Sequence, residues 1–341
     1  MLKGTKKWSK FLMIGMLALS VTACSKDTAN SGKSTSAYPE KPLVVVAPSG
    51  AGGGWDLTAR SLTKILNKTN LVAQTMTVEN KPGGGGTVFM AEYATQEKAN
   101  DYKLFVNSPP ILINHLKAEG NTPYGYKDTT PLAQLTKDYG AIAVKADSKY
   151  KTLKDVINQL KKNPKSITVA GGSAPGSMDH LVSILPAYKS GIDPKSIKYV
   201  AYDGGGEAVA SLLGDNVDVI GTDVSSLGEY VKAGKIKILA VESPERLGGD
   251  YKDVPTLKEQ GIDAEFIIWR GVFGPKEMSK DAKKFWDDTL KKLSEKEEWK
   301  AELKANNWEP EYKDSEEFTK FLKDQETMIQ KMLKSLGMEK K

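Results

Sequence analysis

The stretch LVVVAPSGAGGGWDLTARSLTKIL, residues 43–66, decides how this chain is expected to fold. Its first five residues form a continuous apolar run that is typical of a buried strand. Later apolar residues recur at helical spacing: Ala59, Leu62, Ile65 and Leu66. The glycines therefore lie between a strand end and a helix start, where unpaired backbone N–H groups attract anions. Because glycine lets a ligand approach the backbone closely, the stretch predicts a small-anion site.

The same order of strand, polar loop and helix repeats along the chain. Strand-like runs occur at 76–79, 104–106, 142–144, 167–170, 198–201, 217–220, 236–241 and 266–268. Helix-like runs occur at 57–67, at 153–162, from about residue 178, and at 207–213, and further glycine-rich loops lie at 80–86, 171–177 and 202–206. This alternation predicts an α/β fold with parallel sheets, in which ligands bind outside the carboxyl ends of the strands. Each glycine-rich loop falls at such an end.

The last sixty residues, 282–341, are rich in lysine and glutamate and predict amphipathic helices that pack onto the rest of the chain. One helical stripe consists of Phe318, Leu322, Ile329 and Met332, and tryptophans occur at Trp286, Trp299 and Trp308. Asp314 and Glu317 have the spacing of a capping box. The mixed charge favours packing over the alternative, a helix on a membrane surface.

The charge balance and the scarcity of reactive residues exclude several functions. The net charge is +6, and the first 23 residues contain four lysines and no acid. The remainder carries about +2, which argues against a nucleic-acid partner. The two histidines are too few for most metal sites, and the chain has no G-x-S-x-G, C-x-x-C or H-E-x-x-H motif. Neither a metal nor a cofactor is expected. Arginine occurs only at Arg60, Arg246 and Arg270, too rarely to be surface filler.

The N-terminus predicts export. Four lysines precede the uncharged residues 11–23, a run too short to span a bilayer comfortably and typical of a signal peptide. The run ends in a small residue before Cys24, the only cysteine. This resembles a bacterial lipoprotein lipobox, which implies a signal peptide at 1–23, cleavage before Cys24 and lipid on that residue. Residues 24–38 would form a flexible tether to the cell membrane. The alternative is a cleavable signal peptide with an incidental cysteine.

An ordered set of motifs extends over most of the remaining chain. The motifs are GAGGGWDLTAR (50–60), ENKPGGGG (79–86), GGSAPGS (171–177), YDGGG (202–206), LGDNVD (213–218), GKIKILAV (234–241), DVPT (253–256) and WRG (269–271). In this order they resemble the solute-binding component of the tripartite tricarboxylate transporters. The resemblance implies a two-domain fold like that of type II periplasmic binding proteins, with a ligand cleft between two doubly wound α/β domains. It also implies an organic carboxylate as ligand, and one large and one small membrane subunit as partners.

The expected domain 1 is discontinuous, with residues 39–140 and 242–341, and domain 2 has residues 141–241. The expected function is capture of citrate, another tricarboxylate or a dicarboxylate, and its delivery to the transporter by a monomer. The alternative is a receptor that presents a bound carboxylate to a membrane sensor kinase. An enzyme on a dinucleotide-binding fold is disfavoured, because Trp55 stands where the fingerprint needs a small residue for helix packing.

The predicted ligand-binding residues follow from the glycine-rich loops and strand ends. They are Ser49, Gly50, Ala51, Gly52, Gly53, Gly54 and Trp55 in the first loop, and Ser108, Ser173, Gly176, Ser177, Tyr202, Gly205 and Asp223 elsewhere. The first loop and the loop at 171–177 are expected to clamp the ligand from the two domains. Asp223 would accept a hydrogen bond from a hydroxyl or amino group, which favours a hydroxy or amino acid.

Some residues near these loops allow two interpretations. The first loop could be a tight turn, and Trp55 could line the cleft or pack inside its domain. Asp56 is expected to cap a helix that begins at Leu57, and Arg60 to pair with a neighbouring carboxylate. His180 could contact the ligand or serve helix packing. Trp55 and Ser49 differ from the residues common in the family, which leaves the identity of the carboxylate open.

Overall fold

A computed structural model describes residues 38–340. The predicted signal peptide and Cys24 lie outside the described residues. Within 38–340 the chain forms ten strands and ten α-helices. The strands are β1 (Leu43–Ala47), β2 (Met76–Asn80), β3 (Lys103–Asn107), β4 (Thr129–Lys145), β5 (Thr168–Gly171), β6 (Lys198–Ala201), β7 (Val219–Asp223), β8 (Ile236–Val241), β9 (Ile267–Pro275) and β10 (Glu309–Lys313). The helices are α1 (Gly54–Lys68), α2 (Thr87–Gln96), α3 (Pro110–Leu116), α4 (Leu153–Lys162), α5 (Met178–Lys189), α6 (Gly205–Leu213), α7 (Gly228–Lys232), α8 (Lys280–Glu295), α9 (Glu297–Ala305) and α10 (Ser315–Ser335).

The strands form one mixed sheet with the order β2-β1-β3-β9-β4-β7-β5-β6. On one side β1 lies parallel to β2 and β3, and on the other side β5 lies parallel to β6 and β7. Antiparallel strands join these two parallel groups, because β9 pairs with both β3 and β4, and β4 pairs with β7. β8 and β10 also pair with β4. The predicted α/β class is confirmed, with two parallel groups rather than one continuous parallel sheet.

β4 passes from one parallel group to the other. Residues 129–139 pair with β9, and residues 140–145 pair with β7 and β8. At this change Gly140 donates its N–H to the carbonyl of Phe266 at 3.0 Å and accepts the N–H of Glu242 at 2.7 Å. A Cβ on Gly140 would lie 2.4 Å from Glu242 Oε2, so the crossing leaves no room for a side chain. The chain therefore passes between the groups close to the predicted domain boundaries, which stay a prediction.

The predicted apolar stripes are buried. On α1, Ala59, Leu62 and Leu66 are 0% exposed and share a core cluster with Leu43 and Val45 of β1. Burying each large aliphatic side chain contributes about 1.5–3 kcal/mol. This packing fixes α1 against β1, and thereby fixes the loop that joins them.

The C-terminal helices pack onto the sheet, as predicted. Tryptophans of this region are 0–3% exposed: Trp286, Trp299 and Trp308. Along α10 the predicted stripe residues Phe318, Leu322 and Ile329 are buried, whereas Met332 is only half-buried and its neighbour Leu333 is buried instead. The predicted capping box is formed, since the Asp314 carboxylate accepts the N–H groups of Glu316 and Glu317 at 3.0 and 2.9 Å. Because this helix buries an apolar face against the body, the interpretation as a packed helix is confirmed.

The strands β4 and β9 extend well beyond the segments that the sequence predicts. β4 has 17 residues where only 142–144 are strand-like, and β9 has nine where only 266–268 are. The additional parts carry polar side chains that are nevertheless at most 1% exposed: Gln134, Thr136, Asp138 and Arg270. Buried polar groups interrupt the apolar pattern on which strand prediction depends. These two strands bring an ion pair into the middle of the molecule.

Candidate functional site

The first glycine-rich loop leads directly into α1. The helix begins at Gly54 with Gly53 as its N-cap, three residues before the predicted start at Leu57. The prediction that Asp56 caps the helix is therefore wrong, because Asp56 lies inside the first turn. Its carboxylate accepts the N–H of Gly52 at 3.0 Å and pairs with Arg60 at 2.9 Å. Burial alone would raise the pKa of Asp56, but these bonds outweigh it and lower the pKa. The predicted pairing of Arg60 is confirmed.

Gly54 lies directly beneath the guanidinium of Arg270. A Cβ on Gly54 would lie 2.1 Å from Arg270 Nη2 and 2.8 Å from Asp223 Oδ2. Such distances are shorter than any van der Waals contact, so only glycine lets the first turn of α1 approach this ion pair. The requirement comes from close packing and not from a positive φ angle.

Three glycine-rich loops pack against one another. Gly50 donates its N–H to the carbonyl of Asp203 at 3.2 Å. A Cβ on Gly206 would lie 2.5 Å from the Ala51 oxygen, and a Cβ on Gly172 would lie 2.2 Å from Gly205 N. The loops at 49–54, 171–177 and 202–206 are therefore in direct backbone contact.

The N-termini of three helices converge on a small cavity between these loops. Its volume is ≈30 Å³, room for about one water molecule. α1 begins at Gly54, α5 at Met178 and α6 at Gly205, and all three of these residues line the cavity. Each helix N-terminus carries unpaired N–H groups and a partial positive charge of about half an electron charge. The arrangement concentrates hydrogen-bond donors for an anion.

A buried ion pair forms one wall of the cavity. Arg270 Nη2 lies 3.2 Å from Asp223 Oδ2 and 3.5 Å from Asp138 Oδ2, and the three side chains are at most 4% exposed. Asp223 Oδ1 also accepts the hydroxyls of Ser225 and Ser226 at 2.8 and 2.7 Å. Burial alone would raise the pKa of Asp223, but Arg270 and the serine bonds outweigh it and lower the pKa. Asp223 is thus the ionised partner of Arg270.

Two further carboxyl groups near this pair titrate differently. Burial, and then the charge of Asp223, raise the pKa of Asp179 to about 7. The same two causes raise the pKa of Asp138 above its usual range. Asp179 accepts the N–H of Gly172 at 2.7 Å, and its own N–H donates to Ser173 Oγ at 2.9 Å. Because like charges cannot accumulate in a buried site, the raised pKa values favour the protonated forms of Asp138 and Asp179 next to the ionised Asp223.

Arg270 retains donors that no protein group uses. Among residues 38–340 its Nε has no hydrogen-bond partner, and Nη2 has only the ion-pair contacts. Ser177 Oγ is likewise buried and without a hydrogen-bond partner in that part of the chain. Buried polar groups are almost always hydrogen-bonded, and exceptions call for an explanation. Since Arg270 lines the cavity, a bound anion would supply the acceptor that its guanidinium lacks.

Comparison with known proteins identifies the family. A sequence model described as the tripartite tricarboxylate transporter family receptor matches residues 59–338. The chain belongs to this family. A relative from Cupriavidus necator, named as a UPF0065 protein in the gbd 5' region, is 28% identical over 305 residues, which is 89% of this chain and 90% of that protein.

Solved structures agree with this assignment. The periplasmic binding protein BugD superimposes with a TM-score of 0.80 at 26% identity, covering 89% of this chain and 100% of BugD. MatC from Rhodopseudomonas palustris, solved with bound malate, gives a TM-score of 0.77 at 20% identity and covers 86% of this chain and 99% of MatC. The receptor therefore has the periplasmic-binding-protein fold and is an extracytoplasmic solute-binding protein, not an enzyme.

About half of the predicted ligand-binding residues of the receptor line the cavity. They are Ser49, Gly53, Gly54, Trp55, Ser173, Gly205 and Asp223. Trp55 also packs among core residues and donates its indole N–H to Ser108 Oγ at 2.8 Å. Both interpretations of Trp55 therefore apply, and Ser108 positions the indole rather than lining the cavity.

The other predicted residues lie around the cavity without lining it. Gly50, Ala51 and Gly52 face the loop at 202–206. The hydroxyl of Tyr202 pairs with Ser211 Oγ at 2.5 Å. Gly176 lies on the opposite side of its loop and donates its N–H to His180 Nδ1 at 2.9 Å. Their assignment as ligand-binding residues stays a prediction.

Several residues that line the cavity were not predicted to bind ligand. They are Pro110, Met178, Asp179, Thr222 and Arg270, whereas Gly172 and Gly204, which also line it, belong to loops that were expected to supply donors. Arg270 could have been recognised, because it is one of only three arginines in the receptor and lies in the WRG motif. Asp179 offered no comparable pattern, since an acidic residue in the first turn of a helix is common.

The described part of the receptor has neither a metal cluster nor a membrane span. Among residues 38–340 no three His, Cys, Asp or Glu side chains are arranged to hold a metal ion. In the same range no helix has both the length and the apolar character needed to cross a bilayer.

Proposed function

We propose that the receptor binds a small organic carboxylate where the N-termini of α1, α5 and α6 meet. The observation that carries this proposal is the convergence of three helix N-termini with the buried guanidinium of Arg270, whose Nε has no acceptor among the described residues. Backbone N–H groups at Gly53, Gly54 and Gly205 would hold one carboxylate group. Arg270 would hold a second group or share the first.

The chemistry of the cavity favours a hydroxy or amino acid with more than one carboxylate. Asp223 and Asp179 both line it, and either can accept a hydrogen bond from a hydroxyl or an amino group. MatC was solved with malate, a hydroxy dicarboxylate. A citrate-like or malate-like acid therefore fits the donors and acceptors present. Its several negative charges would be spread over three helix N-termini and one arginine.

Ligand entry requires the loops to separate. A cavity of ≈30 Å³ is too small for an acid with four or more carbons. The chain passes between its two parallel groups at residues 140 and 242, and bending there would part the loop at 49–54 from the loop at 202–206. We propose that domain 1, residues 39–140 and 242–341, and domain 2, residues 141–241, close around the ligand by such a hinge motion.

Thermal unfolding of the purified receptor against a panel of acids tests this function. The panel contains citrate, malate, other di- and tricarboxylates, aromatic acids and amino acids, with nicotinamide cofactors as a comparison. A ligand at 100 times its Kd stabilises the folded state by about 2.7 kcal/mol, which raises the Tm visibly. We expect one carboxylate to do so and nicotinamide cofactors to have no effect. A panel without any response from a carboxylate contradicts the proposal.

A variant of the first loop locates the site. Gly53 has an extended backbone, and a Cβ there would lie 3.1 Å from Gly205 N. Gly53→Val is therefore expected to abolish the carboxylate-dependent rise in Tm while the chain still folds. Gly248→Val is the matched control, because no atom lies within 4 Å of a Cβ at that position. An unchanged response in Gly53→Val would move the site elsewhere.

The partners and the anchor follow from the family and the N-terminal sequence. We propose that the loaded receptor delivers its ligand, as a monomer, to the large and small membrane subunits of the transporter. Lipid on Cys24 would hold it at the cell membrane. Metabolic labelling with a fatty-acid analogue should mark the wild-type protein but not Cys24→Ser. Equal labelling of both contradicts the anchor.

A further inference from the structure

A second, larger cavity lies behind the loop that precedes α5. Its volume is ≈440 Å³. It shares no lining residue with the ligand cavity, although both border the segment 172–180. Gly172, Ser173 and Asp179 face the ligand cavity, whereas Pro175, Gly176 and His180 face the second cavity. The two cavities are therefore distinct sites on opposite sides of one loop.

The ammonium group of Lys117 is buried at this second cavity without a counter-ion. Lys117 is 1% exposed, and its Nζ donates to the carbonyl of Pro175 at 3.1 Å. No carboxylate within residues 38–340 forms an ion pair with it. Burial lowers the pKa of Lys117 to about 8, so the group still carries its charge at neutral pH. A buried cation is costly unless it is paired, and an anion in the cavity would pair it.

His180 contributes a second donor beside Lys117. Its Nδ1 accepts the N–H of Gly176 at 2.9 Å, so the proton of the neutral ring must sit on Nε2. Burial, and then the charge of Lys117, lower the pKa of His180 to about 4, which keeps the ring neutral at pH 7. Tyr199 contacts the ring edge-on with centroids 4.5 Å apart. Nε2 finds no acceptor among the described residues and remains available to a ligand.

We propose that this cavity is a second binding site, for a small oxyanion held by Lys117 and His180. The ligand class is a phosphate or a small carboxylate, because both present oxygen acceptors to N–H donors. Lys195 and Glu119, both exposed, stand at the rim with opposite charges. Ile197 and Met338 supply apolar walls. Because the charges of Lys195 and Glu119 cancel, the negative charge of the anion would be compensated by Lys117.

An oxyanion at this site would join the two parts of the molecule. Lys117 and Met338 belong to the proposed domain 1, and Pro175 and His180 to the proposed domain 2. The anion would hold the loop at 171–177 against domain 1 and so favour the arrangement in which the ligand cavity is closed. Tighter carboxylate binding in the presence of the oxyanion is the expected consequence, and only this consequence rests on the proposed function.

Proton NMR of the histidine rings in the purified full chain tests the site directly. The receptor has two histidines, His115 and His180, and His115→Gln assigns their signals. Inorganic phosphate is titrated at constant ionic strength, and acetate is used in a second titration. We expect a saturable shift of the His180 ring protons while those of His115 stay unchanged. If the His180 signals shift with both anions, the site binds small carboxylates as well as phosphate. If they shift with phosphate alone, the site is specific for phosphate.

Three variants make the outcome decisive. Lys117→Met should abolish the His180 shift, and Lys198→Met, which removes an exposed lysine nearby, should leave it unchanged. Gly53→Val should also retain a saturable shift, with at most a weaker affinity for the anion, because Gly53 does not line the second cavity. The proposal is overturned by the absence of a saturable shift, by a shift that survives in Lys117→Met, or by one that disappears in Gly53→Val. Should Lys117→Met fail to fold, the presence or absence of a saturable His180 shift in the wild type and in Gly53→Val still tests the proposal. If the His180 signals shift with phosphate but no acid of the panel raises the Tm, the second site is supported and the proposed function is contradicted.

Discussion

At the scale of single residues, close packing around Arg270 explains the most about the site. Gly54 has no side chain because the guanidinium occupies the space that a Cβ would need. Asp223 stays ionised beside that guanidinium, whereas Asp179 has a pKa of about 7. Gly54 and Arg270 are 216 positions apart in the chain. Together they determine where the positive charge of the guanidinium lies in the ligand cavity.

A prediction at this scale concerns Gly54→Ala. The added methyl group would lie 2.1 Å from Arg270 Nη2 and must displace the guanidinium. We expect the affinity for the carboxylate to fall at least about tenfold, or 1.4 kcal/mol, and the free energy of unfolding to fall by about 1–3 kcal/mol. Calorimetric titration and urea unfolding measure these two effects.

Gly50→Ala is the matched control for that prediction. Gly50 lies in the same loop, but a Cβ there would meet only ordinary van der Waals distances, the nearest being 3.5 Å to Glu207 Oε1. Both its affinity and its stability should resemble those of the wild type. Wild-type affinity in Gly54→Ala would show that the position of Arg270 does not matter for binding.

At the scale of elements, the helix N-termini at the site could be predicted from the sequence, whereas the two long strands β4 and β9 could not. α1, α5 and α6 each follow a strand and a glycine-rich loop, and this local order could be read from the sequence. β4 and β9 could not, since their central residues are polar. Arg270 on β9 tolerates burial because Asp223 on β7 pairs with it at 3.2 Å, and Asp138 on β4 lies 3.5 Å from the same guanidinium. Such pairing depends on the register between distant strands, which local patterns do not contain.

At the scale of the whole molecule, buried titratable groups link stability to pH. Burial raises the pKa of Asp179 to about 7 and the pKa of Asp138 and Glu242 above their usual range. Burial lowers the pKa of His180 to about 4. Between pH 5 and 7 the folded state therefore holds protons on three acids that the unfolded chain has released. The unfolded chain holds a proton on one histidine that the folded state excludes.

The net effect fixes the sign of the pH dependence. Because the folded state binds about two more protons in this window, its stability should fall as the pH rises from 5 to 7, by about 2–3 kcal/mol per pH unit. Asp179→Asn keeps an oxygen that can accept the N–H of Gly172 but no longer binds a proton, so it should flatten this slope. Urea unfolding at several pH values measures both. Stability that rises across the window, or a slope unaffected by Asp179→Asn, contradicts the assignment of these protons.

The sequence by itself determined the local structure of this receptor, that is, its strands, loops and helices. The apolar runs, the glycine-rich loops at strand ends and the Asp314 capping box are all patterns between near neighbours in the chain, and they were predicted correctly. The stripe on α10 was predicted correctly except at Met332, which is only half-buried. The ordered motifs also predicted the family. Local interactions specify these features, because each depends on backbone propensity or on side chains within a few residues.

Only the tertiary structure decided how these pieces form a site. It brought Arg270 over Gly54, placed Asp179 and Asp223 at the same cavity, and turned Gly176 and His180 away from it toward Lys117. It also showed that α1 begins at Gly54 and that this first residue packs against the Arg270 ion pair. The physical reason is that burial and charge pairing join residues that are far apart in the chain. The cost of burying a charge depends on partners that only the complete fold supplies.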